Sequence, residues 1–362
     1  MSSASPASVT LGAERRTNNF DALRLLAAFA VVVGHAAVLR GAPEQAPAFL
    51  GIHVHVLGVA VFFVISGWLI TGSWERSRSV PQFVVSRALR ILPLLWVVVL
   101  LSVAVLGPLM TDLPLGEYAR STETWRYLRN LVMLPADGLP GVFTDVPYPG
   151  VVNGSVWTLR AEVICYALVL GAGLLAVALR GRWQTAALVA FGAGSVVLVE
   201  HGDVRLLGSS LTAAAGTWIY FAVAALLRLH LPRRALRGDV AVGALALWGL
   251  ASLAGEAWAV RASWLALSYV VLVVGLRGWP VARDAARFGD LSYGLYLFAF
   301  PVQQVVLDLA PAHPAWVDVV VVTGASLALA YGSWHLVERP ALDLRTRLPW
   351  FARPRVPSQP AA

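Results

Sequence analysis

The chain has 362 residues, of which 58% are hydrophobic and 13% charged, and its mean hydropathy is +0.70. That balance excludes the two or three soluble domains this length would otherwise suggest, together with collagen and disorder, and a single cysteine, Cys165, excludes a disulfide framework. The net charge of +8 comes from 28 arginines and no lysine; they sit in short clusters between apolar blocks, which is the pattern of membrane topology and not of a nucleic-acid-binding face.

Residues 1–19 form a polar leader, rich in Ser and Ala, with Arg15 and Arg16 ahead of the first apolar run. Cleavage after that run would discard Arg24 and His35, so the leader is expected to stay attached. Apolar runs then predict an all-α, polytopic membrane helix bundle of about ten spans, at about 21–39, 54–71, 92–110, 157–179, 184–199, 206–227, 240–254, 263–276, 291–309 and 316–336. Placing both termini in the cytoplasm puts 21 of the 28 arginines on the inner side, as the positive-inside rule requires. The one long outer loop, about 111–156, is rich in Pro, Gly, Trp and Tyr and is expected to serve as a lid or sugar platform. The tail, 341–362, carries Pro349, Pro354, Pro357 and Pro360 and reads as a disordered cytoplasmic end.

A polar or charged group inside a span costs about 2.5–3.5 kcal/mol on insertion scales, so each one calls for a reason. Arg24 and His35 are eleven residues apart, three turns plus about 20°, which places both on one face of the first helix about 16 Å apart. Imidazole is suited to take a proton from a hydroxyl near neutral pH. Arg24 could instead pair with Asp21, and His35 could merely bond a neighbouring helix. Arg87 and Arg90, spaced i, i+3 on the approach to the third span and followed by Pro93, offer two guanidiniums to phosphate oxygens, or serve only to set topology. Glu162 could orient an imidazole across the bundle or pair with Arg160. Cys165 is expected to pack. Gly171, Gly173 and Ala176 match a dinucleotide fingerprint by letter only, and His53 and His55 lack the further ligands a zinc ion needs, so no metal is expected.

Six stretches together resemble the integral-membrane acyltransferase family 3, in its stand-alone form: Asn19–His35, Gly58–Thr71, Arg87–Pro93, Asn153–Tyr166, Gly289–Gln304 and His335–Pro340. The resemblance implies a membrane acyltransferase domain over 20–340 that O-acylates sugars and related metabolites at the cell (inner or plasma) membrane. It puts the family's Arg-x10-His motif on Arg24 and His35 and its Arg-x-x-Arg motif, linked to acyl-CoA, on Arg87 and Arg90. Glu162, Glu338, Ser66 and Tyr293 fall on further polar positions. Many relatives carry Trp-His after the Tyr-Leu of the ninth span; here Phe298 and Ala299 follow Tyr296 and Leu297, which leaves His35 without that second histidine. Larger relatives append an extracytoplasmic hydrolase-like domain that this length does not hold, so the chain is expected to act alone or with a separate extracytoplasmic partner.

The expected reaction moves an acyl group, acetyl by default, from cytosolic acyl-CoA, a co-substrate and not a bound cofactor, to a hydroxyl of a carbohydrate or glycoconjugate acceptor. His35 would either deprotonate the acceptor or carry the acyl group itself. The rival is a multipass transporter of a glycan or lipid-linked intermediate; mid-membrane carboxylates and symmetric halves, which would favour it, are little in evidence. A non-catalytic scaffold would give no reason for His35.

Overall fold

A computed structural model describes residues 18–179, 183–202, 204–206, 209–278 and 287–348. Most of the leader, the end of the tail, and the topology-setting Arg180, Arg182 and Arg283 lie outside them. In chain order the helices are α1 (Phe20–Val38), α2 (Val54–Ser77), α3 (Val80–Met110), α4 (Leu115–Arg120), α5 (Thr122–Arg126), α6 (Val156–Ala178), α7 (Trp183–Glu200), α8 (Leu211–His230), α9 (Gly238–Leu253), α10 (Glu256–Leu276), α11 (Ser292–Leu309) and α12 (Ala315–Asp343). Two hairpins of two-residue strands, Ala48–Phe49 with Ile52–His53 and Arg205–Leu206 with Ser209–Ser210, are the only sheets among the described residues.

Each of the ten predicted spans contains a helix, and eight of these helices are long and apolar enough to cross a membrane by length and composition. α9 has 16 residues, and α11 has 18 with Pro301 inside it and Gln303 and Gln304 buried. The polarity is inverted relative to a soluble bundle. Val242, Leu247, Leu250 and Leu253 of α9 project outward, whereas Ser66, Asn153, Asp290, Gln303, Gln304, Asp318 and Glu338 are buried. Lipid accepts the apolar exterior, and internal partners must satisfy the polar interior.

Several boundaries differ from those read in the sequence, α10 for example beginning at Glu256 and not near 263, and two of them reposition candidate site residues. α3 begins at Val80, about twelve residues before its apolar run, because Pro81 starts the helix at its first turn and Phe83, Ser86 and Ile91 bury one face of a segment whose hydropathy Gln82, Arg87 and Arg90 lower. Arg87 and Arg90 therefore stand within a helix and not on the approach to one. α12 likewise continues past its apolar run through a π turn at Trp334–Glu338, which carries Glu338 into the bundle.

Close approach at small residues sets the packing. A Cβ on Gly58 of α2 would meet the Ala27 carbonyl oxygen of α1 at 2.5 Å, and one on Gly67 would meet the Phe221 oxygen of α8 at 2.4 Å, so α2 is wedged between them. α1 also touches α10, α11 and α12, and its start is fixed where the Asn19 backbone N–H donates to the Gly275 oxygen at 2.7 Å. The long loop is folded. A π turn at Ser102–Leu106 of α3 presents the Val103 carbonyl, which accepts from the Tyr118 hydroxyl at 2.8 Å. Burial raises the pKa of Tyr118 and, further, that of Tyr127, so both are anchors of the loop, whereas Trp125 and Tyr148 remain exposed.

Candidate active site

α1 and α2 run antiparallel, and His35 near the end of one meets His55 near the start of the other, ring centroids 5.8 Å apart. The Phe300 ring of α11 meets His35 edge-on at 5.5 Å and lies where a side chain on Gly154 would be, 2.5 Å from its built Cβ. The segment before α6 is held there because Asn153 donates to the Leu297 carbonyl at 2.9 Å and Gln304 donates to the carbonyls of Tyr148 and Val151. Among the described residues no hydrogen bond reaches the His35 ring. An imidazole with both nitrogens uncommitted is available for chemistry.

A second layer lies at the other end of α1. Arg24 is eleven residues from His35 and Ser66 eleven from His55, so both stand about 16 Å from the imidazoles. Ser66 and Tyr166 donate to Glu162 Oε1 at 2.7 and 2.6 Å. Arg90 is fully engaged: one guanidinium nitrogen donates to Asp290 at 2.6 Å and another to Glu338 at 3.4 Å, and its face covers the Tyr293 ring at 5.4 Å. Asp290 is further held by the Ser292 hydroxyl, Glu338 by that of Ser333, and Tyr293 donates to the Ile91 carbonyl. Arg87 differs. It lies 6.0 Å above the Tyr166 ring, makes no ion pair among the described residues, and has a buried Nε without a partner. Glu162 and, less strongly, Arg24 are within its electrostatic reach, and Arg24 itself has a long 3.5 Å contact with Asp21.

One stripe of α11 joins the two layers. Tyr293 sits under Arg90, Tyr296 one turn on shares a 2.8 Å hydrogen bond with Thr158, and Phe300 a further turn on touches His35. Tyr293 to Phe300 is seven residues, about 10 Å of helix. Gln303 continues the stripe; it is 1% exposed, and neither its amide oxygen nor its nitrogen has a partner.

The structure thus brings His35, Arg24, Ser66, Glu162, Arg87, Arg90, Tyr293 and Glu338 to the centre of one bundle, with pairings that sequence spacing did not supply. Glu162 binds Ser66 and Tyr166, neither orienting His35 nor pairing with Arg160, because it lies in the arginine layer. Arg87 and Arg90 do not form an equivalent pair, since two buried carboxylates occupy Arg90. His55 from α2 lies beside His35 at the same level of the bundle. His55, Tyr296, Asp290 and Gln303 were not singled out as site residues; the one signal was that Asp290 and Gln303 are polar groups in or beside an apolar span. Among the described residues no group of three or more His, Cys, Asp or Glu is placed to hold a metal ion, and Cys165 is buried and unpaired.

The sequence of an acyltransferase domain matches residues 17–335. Nodulation protein 10 of Rhizobium leguminosarum bv. viciae is 31% identical over 361 residues, covering 91% of this chain and 95% of its own. An O-acetyl transferase of Shigella phage Sf6 is 29% identical, covering 90% and 96% respectively. No solved structure matches. Transport without chemistry gives way to acyl transfer, and with a match over most of its length the chain belongs to acyltransferase family 3, as a multipass membrane enzyme.

Proposed function

We propose that this O-acyltransferase takes an acetyl group from cytosolic acetyl-CoA and passes it through the bundle to a hydroxyl of a carbohydrate-containing acceptor at the inner or plasma membrane. The observation that carries the reading is the α11 stripe, which links a layer with a guanidinium that has no direct ion pair among the described residues to a layer with an uncommitted imidazole. Arg87, assisted by Arg24, holds the CoA phosphates. Arg90, neutralised by Asp290 and Glu338, braces the helices around them. The pantetheine arm follows Tyr293 and Tyr296, and the thioester carbonyl reaches His35.

Comparing two donors tests the anion site. Arg87→Ala should raise the KM for acetyl-CoA about 10- to 100-fold, the worth of a charge-assisted phosphate contact. It should leave the KM for S-acetylpantetheine, which has no phosphate, unchanged. Equal rises for both donors would remove Arg87 from phosphate binding.

On the acceptor side, Gln303 offers a buried amide with both atoms unsatisfied, an arrangement that costs about 1–3 kcal/mol per atom unless a polyhydroxylated ligand completes it. Gln303→Leu, of similar volume, should raise the thermal midpoint in detergent and also raise the acceptor KM several-fold. A variant that is less stable, with acceptor kinetics unchanged, would show that the amide serves the fold alone.

A further inference from the structure

His35 is not the only imidazole at its level of the bundle. Gly34, immediately before it, has no side chain, and the His55 ring fills the space: a Cβ built on Gly34 would lie 2.6 Å from both Cβ and Nδ1 of His55. The ring therefore lies against the α1 backbone, tilted 36° to His35 at 5.8 Å. Its Nδ1 is buried and has no hydrogen-bond partner among the described residues. His53 lies nearly parallel to it, 5.7 Å away, and donates its own Nδ1–H to the Ala46 carbonyl at 2.9 Å. That bond fixes His53 and leaves His55 uncommitted between the two.

An imidazole that carries an acyl group on one nitrogen cannot also serve as the base for the alcohol that removes it. A second base close enough to exchange a proton with the first resolves the conflict. We propose that His55 is that base, a second catalytic residue that takes the acceptor's proton and returns it to His35. This rests on the reading of His35 as the residue that receives the acyl group. In the first half-reaction a His35 nitrogen attacks the thioester carbonyl, the C–S bond breaks, and the ring's other N–H proton passes to the departing thiolate, giving CoA thiol and neutral acyl-imidazole. In the second, the acceptor oxygen attacks the acyl carbon as its proton moves to His55. The C–N bond to His35 then breaks, and His55 delivers the same proton to the departing imidazole nitrogen. Both histidines end neutral, and no proton is gained or lost overall, so the two rings need to be neighbours.

The test uses the purified full chain in detergent with radiolabelled acetyl-CoA and two acceptor probes: water, whose attack needs a base, and hydroxylamine, which attacks an acyl-imidazole without one. For His55→Gln the expected result is label retained on the protein at His35, acetyl-CoA hydrolysis reduced at least about 100-fold, and acetohydroxamate formation close to the parent rate. His55→Asn, shorter and equally unable to take the proton, should show the same split and replaces His55→Gln if that variant fails to fold. A folded variant that hydrolyses acetyl-CoA at the parent rate, or one that loses hydrolysis and hydroxamate formation equally, overturns the role of His55. Full activity of His35→Gln, or a parent enzyme that passes no label to itself, water or hydroxylamine, overturns the wider reading instead.

Discussion

His35→Ala is expected to lower acyl transfer by about two to four orders of magnitude while leaving the bundle folded. The two halves of that expectation have separate causes. Among the described residues no hydrogen bond reaches the ring, so truncation strands no buried partner there, and the stability cost comes from lost contacts with Phe300 and His55. Chemistry, by contrast, loses its acyl carrier or base, for which general-base and nucleophilic roles are worth about 10²- to 10⁴-fold. The measurement is acetyl-CoA turnover by parent and variant, paired with thermal midpoints in the same detergent. A folded variant that turns over at the parent rate would remove the imidazole from the mechanism.

The second large effect is on stability. Arg90→Leu is expected to destabilise the bundle by about 3–5 kcal/mol, because it removes the guanidinium that the buried carboxylates of Asp290 and Glu338, 5% and 3% exposed, share. Asp290→Asn and Glu338→Gln in the same chain should recover most of the loss, since a fully neutral cluster has no uncompensated charge. Thermal or denaturant unfolding in detergent of the single, double and triple variants decides the matter; additive losses would refute the coupling. The contrast with Arg87→Ala, whose effect is expected on donor KM, separates two arginines that the sequence presents as a pair.

Much of the site was legible because lipid is a severe solvent. A charged or imidazole side chain within an apolar run is costly enough that Arg24, His35 and Glu162 declared themselves without any structure, whereas Glu338 entered only through the family resemblance. His55 did neither. It lies at the end of its run beside His53, where a histidine costs little, and its proximity to His35 depends on the depth at which α1 and α2 cross. Gly34 and Gly58 set that depth, and neither announces its partner. Asp290 was passed over because it precedes its span, and it became visible only when Arg90 reached it across 200 positions. The early start of α3 escaped for a related reason: Val80–Arg90 is too polar for a hydropathy window, yet it is helical because Phe83, Ser86 and Ile91 bury one face.

By itself the sequence determined the solvent, the number and order of the helical spans, the expected sidedness from the arginine clusters, and the family, since each follows from local composition or from short runs of residues. Only the tertiary structure decided which guanidinium is neutralised and which is left open, that Glu162 belongs with Ser66 and Tyr166 and not with His35, and that two imidazoles share one level. Those are outcomes of helix rotation and vertical register, set by close contacts at glycine and alanine across helices far apart in the chain, and no local pattern specifies them.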